Sequence, residues 1–132
     1  MHVSKNIKLV TAIGLGGAVG AMGRYSLTFI FSTDGFPFAT LSANLLGCFL
    51  LSYLLHHKQI KKHLPPTLFT ALTTGLIGSF TTFSTFTVET IELWNSHFFL
   101  AITYVLLSIA GGLLFCYIGY LFSIHTRKKA RI

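Results

Sequence analysis

Four apolar runs, at residues 7–31, 38–55, 67–94 and 98–124, occupy most of this 132-residue chain, and only short links separate them. Each is long enough for a bilayer, whose hydrocarbon core takes about 20 helical residues to cross. In lipid every backbone polar group must be satisfied internally, which makes a helix the solution for single segments of this length. The expected fold is therefore an all-α membrane protein, one domain (1–132) of four transmembrane helices. Composition agrees, because 10% of the residues are charged where a soluble domain has about 25%. Residues 32–37 contain Asp34-Gly35 and Pro37, which are turn signals. The basic loop at 56–66 closes on Pro65-Pro66, a suitable start for the third helix. Residues 95–97 make a tight link between the third and fourth.

A net charge of +7 raises nucleic-acid binding, but the placement of the charge argues against it, since a basic footprint needs a soluble face. With four spans, both termini and the middle loop share one side of the membrane. That side holds Lys5, Lys8, Lys58, Lys61, Lys62, Arg127, Lys128, Lys129 and Arg131, all of the Lys and Arg except Arg24. The acids Asp34, Glu89 and Glu92 belong to the other side or to the adjoining helix ends. Lys/Arg asymmetry in short loops sets orientation, so both termini are expected in the cytoplasm. Lys5 and Lys8 before an apolar run have the outline of a signal peptide. The apolar character continues to Phe31, beyond the roughly 7–15 residues of a signal core, and a retained first span is the reading.

Several residue sets point nowhere further. Cys48 and Cys116 lie in apolar runs and read as small buried apolar residues rather than a disulfide. His56, His57 and His63 beside Lys58 read as solvated interfacial histidines, not a metal cluster. Gly14, Gly16 and Gly20 with Asp34 imitate a dinucleotide fingerprint, but Val19 stands where a glycine is required and no βαβ unit surrounds it. Gly16-x-x-x-Gly20 and Gly17-x-x-x-Ala21 are instead small-residue faces that let helices approach closely.

One stretch inside the third run departs from what lipid rewards. Residues 75–86 read Gly-Leu-Ile-Gly-Ser-Phe-Thr-Thr-Phe-Ser-Thr-Phe, with two glycines, five hydroxyls and three phenylalanines. A glycine weakens a helix interior by about 1 kcal/mol against alanine, and hydroxyls invite local bonding to the backbone. The third helix is expected to break here. Irregular backbone at membrane depth persists only where protein or a water-filled cavity satisfies it, so the break predicts a site.

Isolated polar residues in the other runs are its candidate partners. Asn44 lies mid-span, one turn from Thr40 and on one face with Gly47. It is either an interhelical tie or part of a polar lane. Tyr104 and Ser108, at i and i+4, make a second polar line. Arg24 costs about 2.5–3.5 kcal/mol if it lies at a helix centre; it either draws anions into a vestibule or anchors the helix end at the interface. Glu89 faces a vestibule or is a solvated helix end. Phe83 and Phe86, three residues apart, share a helix face. An aromatic edge is positive, so two such edges beside Asn44 suit a small dehydrated anion, the alternative being ordinary core packing. Binding by neutral donors allows an ion in without trapping it.

The motifs Gly16-Gly17-x-x-Gly20-Ala21-x-x-Arg24-Tyr25, Pro37-Phe38-x-Thr40-Leu41-x-x-Asn44-x-x-Gly47 and Gly75-x-x-Gly78 running into Thr81-Thr82-Phe83-Ser84-Thr85-Phe86 closely resemble the CrcB/Fluc family of fluoride channels. The resemblance covers about residues 10–120. It implies a dimer of four-helix subunits inserted antiparallel (dual topology), with two pores and a break in span three. It further implies Asn44 as a fluoride hydrogen-bond donor, Phe83 and Phe86 as an aromatic box, Thr40, Tyr104 and Ser108 along the polar track, and Arg24 near a vestibule. Backbone carbonyls of Gly78 and Thr81 would hold a structural Na+ at the dimer centre, consistent with oxygen ligands for a hard cation. Ala39 stands where a glycine is usual and Gly112 where some relatives carry a hydroxyl, which leaves the far end of the track open.

The implied function is passive, fluoride-selective export down the electrochemical gradient, protecting against fluoride that crosses as the neutral acid and dissociates in the cytoplasm. No nucleophile with a base is present, so no enzyme is expected. A small antiparallel multidrug exporter would need an acid deep in its first span, which this chain lacks. A non-transporting assembly subunit is the other rival. The one-sided basic charge implies a single insertion orientation, so the expected antiparallel partner is a second related subunit of opposite topology, the alternative being a homodimer.

Overall fold

The computed structural model describes the backbone of residues 2–31 and 35–129 and the side chains of residues 6–31 and 35–126. Asp34 and the side chains of Lys5, Arg127, Lys128, Lys129 and Arg131 lie outside this range. All regular structure among the described residues is helical: α1 (His2–Ile30), α2 (Phe38–His56), α3 (Lys58–His63), α4 (Pro66–Thr70), α5 (Gly78–Phe80), α6 (Ser84–Ser96) and α7 (Phe98–Lys129). A π-helical segment, Ala71–Ile77, joins α4 to α5. Three stretches, Asn6–Ile30, Phe38–His56 and Phe98–Thr126, are long and apolar enough to cross a membrane.

Local chemistry sets the ends. Gly35 adopts φ 90°, which only glycine takes without penalty, and Pro37 then precedes α2. The basic middle loop contains α3. The His57 ring accepts a hydrogen bond from the Ile60 amide at 3.2 Å, covering one of the amides that a helix start leaves unpaired. Pro66 opens α4, where its missing N–H costs nothing.

The third apolar run is helical from Pro66 to Phe80, leaves helical geometry at Thr81 (φ −83°, ψ 156°) and resumes at Ser84. The irregular backbone is therefore residues 81–83, later than the start at Gly75 that the sequence predicts. Gly75 serves close packing instead. A Cβ there would lie 2.6 Å from the Ile13 carbonyl, and one on Gly16 would lie 2.5 Å from the Ala71 carbonyl. α1 crosses the π segment and α5 at this backbone-to-backbone contact, while α2 runs along α7 and α6 also packs on α7.

A small core of Leu41, Leu93, Ala101 and Tyr104, backed by Phe36, Leu45, Phe86 and Leu100, joins α2, α6 and α7. Outside it the apolar surface is open. Only 6% of the apolar stretch of α1 and 17% of that of α7 are buried. So much exposed apolar area is incompatible with water and marks a surface for lipid or for another chain.

Candidate functional site

The break at 81–83 is closed by one side chain. Asn44 of α2 accepts the Thr82 N–H on Oδ1 at 2.8 Å and donates from Nδ2 to the Thr82 carbonyl at 3.0 Å. Because a backbone N–H only donates and a carbonyl only accepts, this pair fixes the orientation of the amide. The clasp replaces the helical bonds that Thr82 gave up, in the way a neighbouring strand would. One Nδ2 hydrogen remains uncommitted. Gly47, one turn along α2, makes room for Thr81; a Cβ on Gly47 would meet the Thr81 methyl.

Thr82 also restarts the helix. Its Oγ1 accepts the Thr85 N–H at 3.2 Å and donates to Thr85 Oγ1 at 3.0 Å, covering a first-turn amide of α6. On the other side of the break, Arg24 Nε of α1 donates to the Ser79 carbonyl at 3.3 Å. A guanidinium at the carboxyl end of a helical stretch is favoured by the local dipole. Arg24 is thus bound to the break as well as lining a first cleft of about 570 Å³.

Glu89 is not a solvated helix end. Its Oε1 accepts from the Thr40 hydroxyl at 2.8 Å and its Oε2 from the Tyr104 hydroxyl at 2.7 Å, so one carboxylate ties α2, α6 and α7 together. Hydrogen bonds to an ionised acceptor are the stronger kind. Tyr104 is fully buried. Thr40 and Glu89 line the first cleft with Arg24, while Asn44, Phe83, Phe86 and Ser108 line a second cleft of about 680 Å³ on the other side of the break. The structure therefore divides the predicted lane into two parts that meet at Thr82 and Thr85.

Phe83 stands at the start of α6 with helical backbone angles, and its carbonyl accepts the Thr87 N–H at 2.9 Å. Its ring and that of Phe86, three residues on, have centroids 6.0 Å apart at 38°, and Phe86 stacks obliquely on Tyr104 at 5.0 Å. Phe83 is 79% exposed, which leaves that wall of the cleft open for a further surface. The second cleft contains no Lys, Arg, Asp or Glu among its described lining. It offers neutral donors instead, including the Ser108 hydroxyl, which is buried without a partner.

The family model for CrcB-like proteins (Camphor Resistance, CrcB) matches residues 11–120. The chain belongs to the CrcB family. It is 50% identical over 112 residues to the fluoride-specific ion channel FluC 1 of Desulfitobacterium hafniense (strain Y51), covering 83% of this chain and 98% of the relative. Over 121 residues it is 45% identical to FluC 1 of Bacillus thuringiensis subsp. konkukian (strain 97-27), covering 89% and 88%. FluC 2 of Listeria innocua serovar 6a (strain ATCC BAA-680 / CLIP 11262) is 43% identical over 112 residues, covering 84% and 87%.

The break leaves the Gly78 and Thr81 carbonyls, the oxygens expected from the sequence to meet a Na+, short of donors. In an unbroken helix the Gly78 carbonyl would accept from the Thr82 amide, which Asn44 has taken. Gly78 keeps only a long 3.4 Å approach from the Thr81 hydroxyl, which is shared with Ile77 at 3.1 Å. The freed carbonyls of Gly78 and Thr81 fit a hard cation by chemistry, but two oxygens do not complete its shell, so the remainder has to come from elsewhere.

Sequence reading overlooked the continuation of the polar ladder toward the basic loop. On α2 it runs Asn44, Cys48, Ser52, His56, and on α7 Tyr104, Ser108, Gly112, Cys116, Tyr120, each at i+4. Ser52 donates to the Cys116 carbonyl at 2.7 Å, Cys116 Sγ donates to the Cys48 carbonyl at 3.6 Å, and the His56 and Tyr120 rings meet edge to face at 5.0 Å. The cysteines are half-buried neighbours rather than isolated apolar fillers. The i+4 spacing on both runs was the available signal.

Proposed function

We propose that this CrcB-family chain is a fluoride-selective channel, not an enzyme, through which cytoplasmic fluoride leaves passively down its electrochemical gradient. The observation that carries the reading is the uncharged cleft bounded by Asn44, Phe83, Phe86 and Ser108, in a chain whose relatives bear the name fluoride-specific ion channel. The spare Asn44 hydrogen, the Ser108 hydroxyl and the positive ring edges replace the hydration of a small anion without fixing it to a full charge.

The finer architecture follows the same reading. Residues 66–96 form the third span in chain order, an interrupted one, and the subunit sits in the plasma membrane with both termini cytoplasmic. It pairs with an antiparallel partner of opposite topology, giving two pores and bringing oxygens to a structural Na+ beside Gly78 and Thr81. The open face of Phe83 and the uncovered apolar surface support a second subunit; the one-sided Lys/Arg pattern supports a related chain over a second copy. Fluoride efflux from liposomes tests this, with the purified chain alone and together with such a relative. Efflux only in the mixture is expected. Efflux by the chain alone would refute the obligate partner, and none in either case would refute the channel.

A further inference from the structure

We propose that Cys48 and Cys116 form a two-thiol site for a soft, two-coordinate metal ion of the Cu(I), Ag(I) or Hg(II) class. The binding stands on the thiols alone; its consequence, a plug in the inner half of the cleft, rests on the channel reading above. The two residues are far apart in the chain, yet the fold interlocks them. Cys116 Sγ reaches the Cys48 carbonyl at 3.6 Å, and Cys48 Sγ lies 3.6 Å from the position a Cβ on Gly112 would take, one turn before Cys116 on the same face of α7. The bare Gly112 leaves the space into which Cys48 projects.

Access and selectivity follow from the same placement. Both cysteines are unpaired and half-buried, and both line the cleft between Asn44 and His56, so both side chains are open to an ion in the cleft. Thiolates select soft metals. Among the described residues no group of three or more His, Cys, Asp or Glu side chains is placed to hold a metal, so these residues do not form the four-ligand shell of a structural zinc site. Two sulfurs suffice for an ion that prefers linear coordination. As each metal–sulfur bond forms, the thiol proton passes to water, and nothing is oxidised or reduced.

The probe is Hg(II) chloride added to the purified chain in lipid vesicles, read by the ultraviolet mercury–thiolate absorbance and by counting the thiols that remain reactive. The expected result is one Hg(II) per chain with loss of both thiols, stable to a monothiol competitor. Cys48→Ser and Cys116→Ser should each surrender the ion to that competitor, and Cys48→Ala and Cys116→Ala supply the same comparison if a serine variant fails to fold. Binding of two ions per chain, or a single-cysteine variant that retains Hg(II) as firmly as the native chain, would overturn the shared site. In vesicles that conduct fluoride, one equivalent should abolish efflux in the native chain, and the monothiol should restore it only in the single-cysteine variants. Efflux that persists with the site filled overturns the plug. Vesicles that never conduct contradict the channel reading, while the titration still decides the site.

Discussion

Asn44→Leu removes the clasp on Thr82 while keeping a side chain of similar size, and its cost is set by what is left unpaired. The native amide makes two bonds, at 2.8 and 3.0 Å, to the N–H and the carbonyl of one residue. A buried backbone group stranded by loss of its partner costs about 1–3 kcal/mol, so two such groups forfeit about 2–6 kcal/mol if the break stays dry. Water reaching Thr82 from the adjoining clefts lowers that to about 1.4–2.8 kcal/mol, a 10- to 100-fold rise in local opening. Amide hydrogen exchange, followed by mass spectrometry on a peptide spanning residues 81–85, reads the change directly. The expected result is exchange at Thr82 faster by about that factor, with fluoride efflux lost. Asn44→Asp keeps the acceptor for the Thr82 N–H but loses the donor, and should fall between. Unchanged exchange at Thr82 in Asn44→Leu would refute the clasp, and if efflux were lost all the same, Asn44 would act on the ion alone.

Phe83→Ile should reduce fluoride efflux while leaving assembly intact by size-exclusion chromatography; unaltered flux would remove this ring from the pathway. Glu89→Gln replaces an acceptor serving both Thr40 and Tyr104 with a group that has a single acceptor oxygen, so about 1.5–3 kcal/mol of charge-assisted bonding is lost. Thermal unfolding in detergent should show it, and an unchanged midpoint would mean the three helices are held otherwise. Gly20→Ala places a Cβ against the Leu76 backbone and should destabilise the α1 crossing by about 1–3 kcal/mol. Gly14→Ala meets nothing within 4 Å and is the matched control, expected to stabilise by about 0.5–1 kcal/mol through helix entropy.

The break persists because substitutes take over several of its polar groups, while the Gly78 and Thr81 carbonyls stay free. Thr82 is held by α2 through Asn44, the Ser79 carbonyl by α1 through Arg24, and the first turn of α6 by the Thr82 hydroxyl. Removing a helical bond in a medium without water is tolerable only when such substitutes are fixed in advance. The glycines of α1 contribute at one remove: their close approach to the π segment brings Arg24 within reach of Ser79.

The helices were legible because membrane length and apolarity are local properties, readable run by run. The glycine and hydroxyl content of residues 75–86 was also legible, but it did not say that the non-helical residues are 81–83. Gly75 and Gly78 look like breakers in sequence, yet both lie in helical backbone, since Gly75 is spent on contact with Ile13. The break falls at Thr82 because Asn44, 38 residues earlier, outcompetes the helix for its amide, and no local rule reports that competition. The same distance dependence hid the role of Glu89, whose two partners come from α2 and α7. Cys48 and Cys116 mark the boundary between the two cases. Their i+4 relation to Asn44 and Gly112 could be counted in the sequence, but only the packing of α2 on α7 makes neighbours of residues 68 apart. A polar line on one helix therefore becomes interpretable when a second helix carries a line of the same period, and the two should be read together.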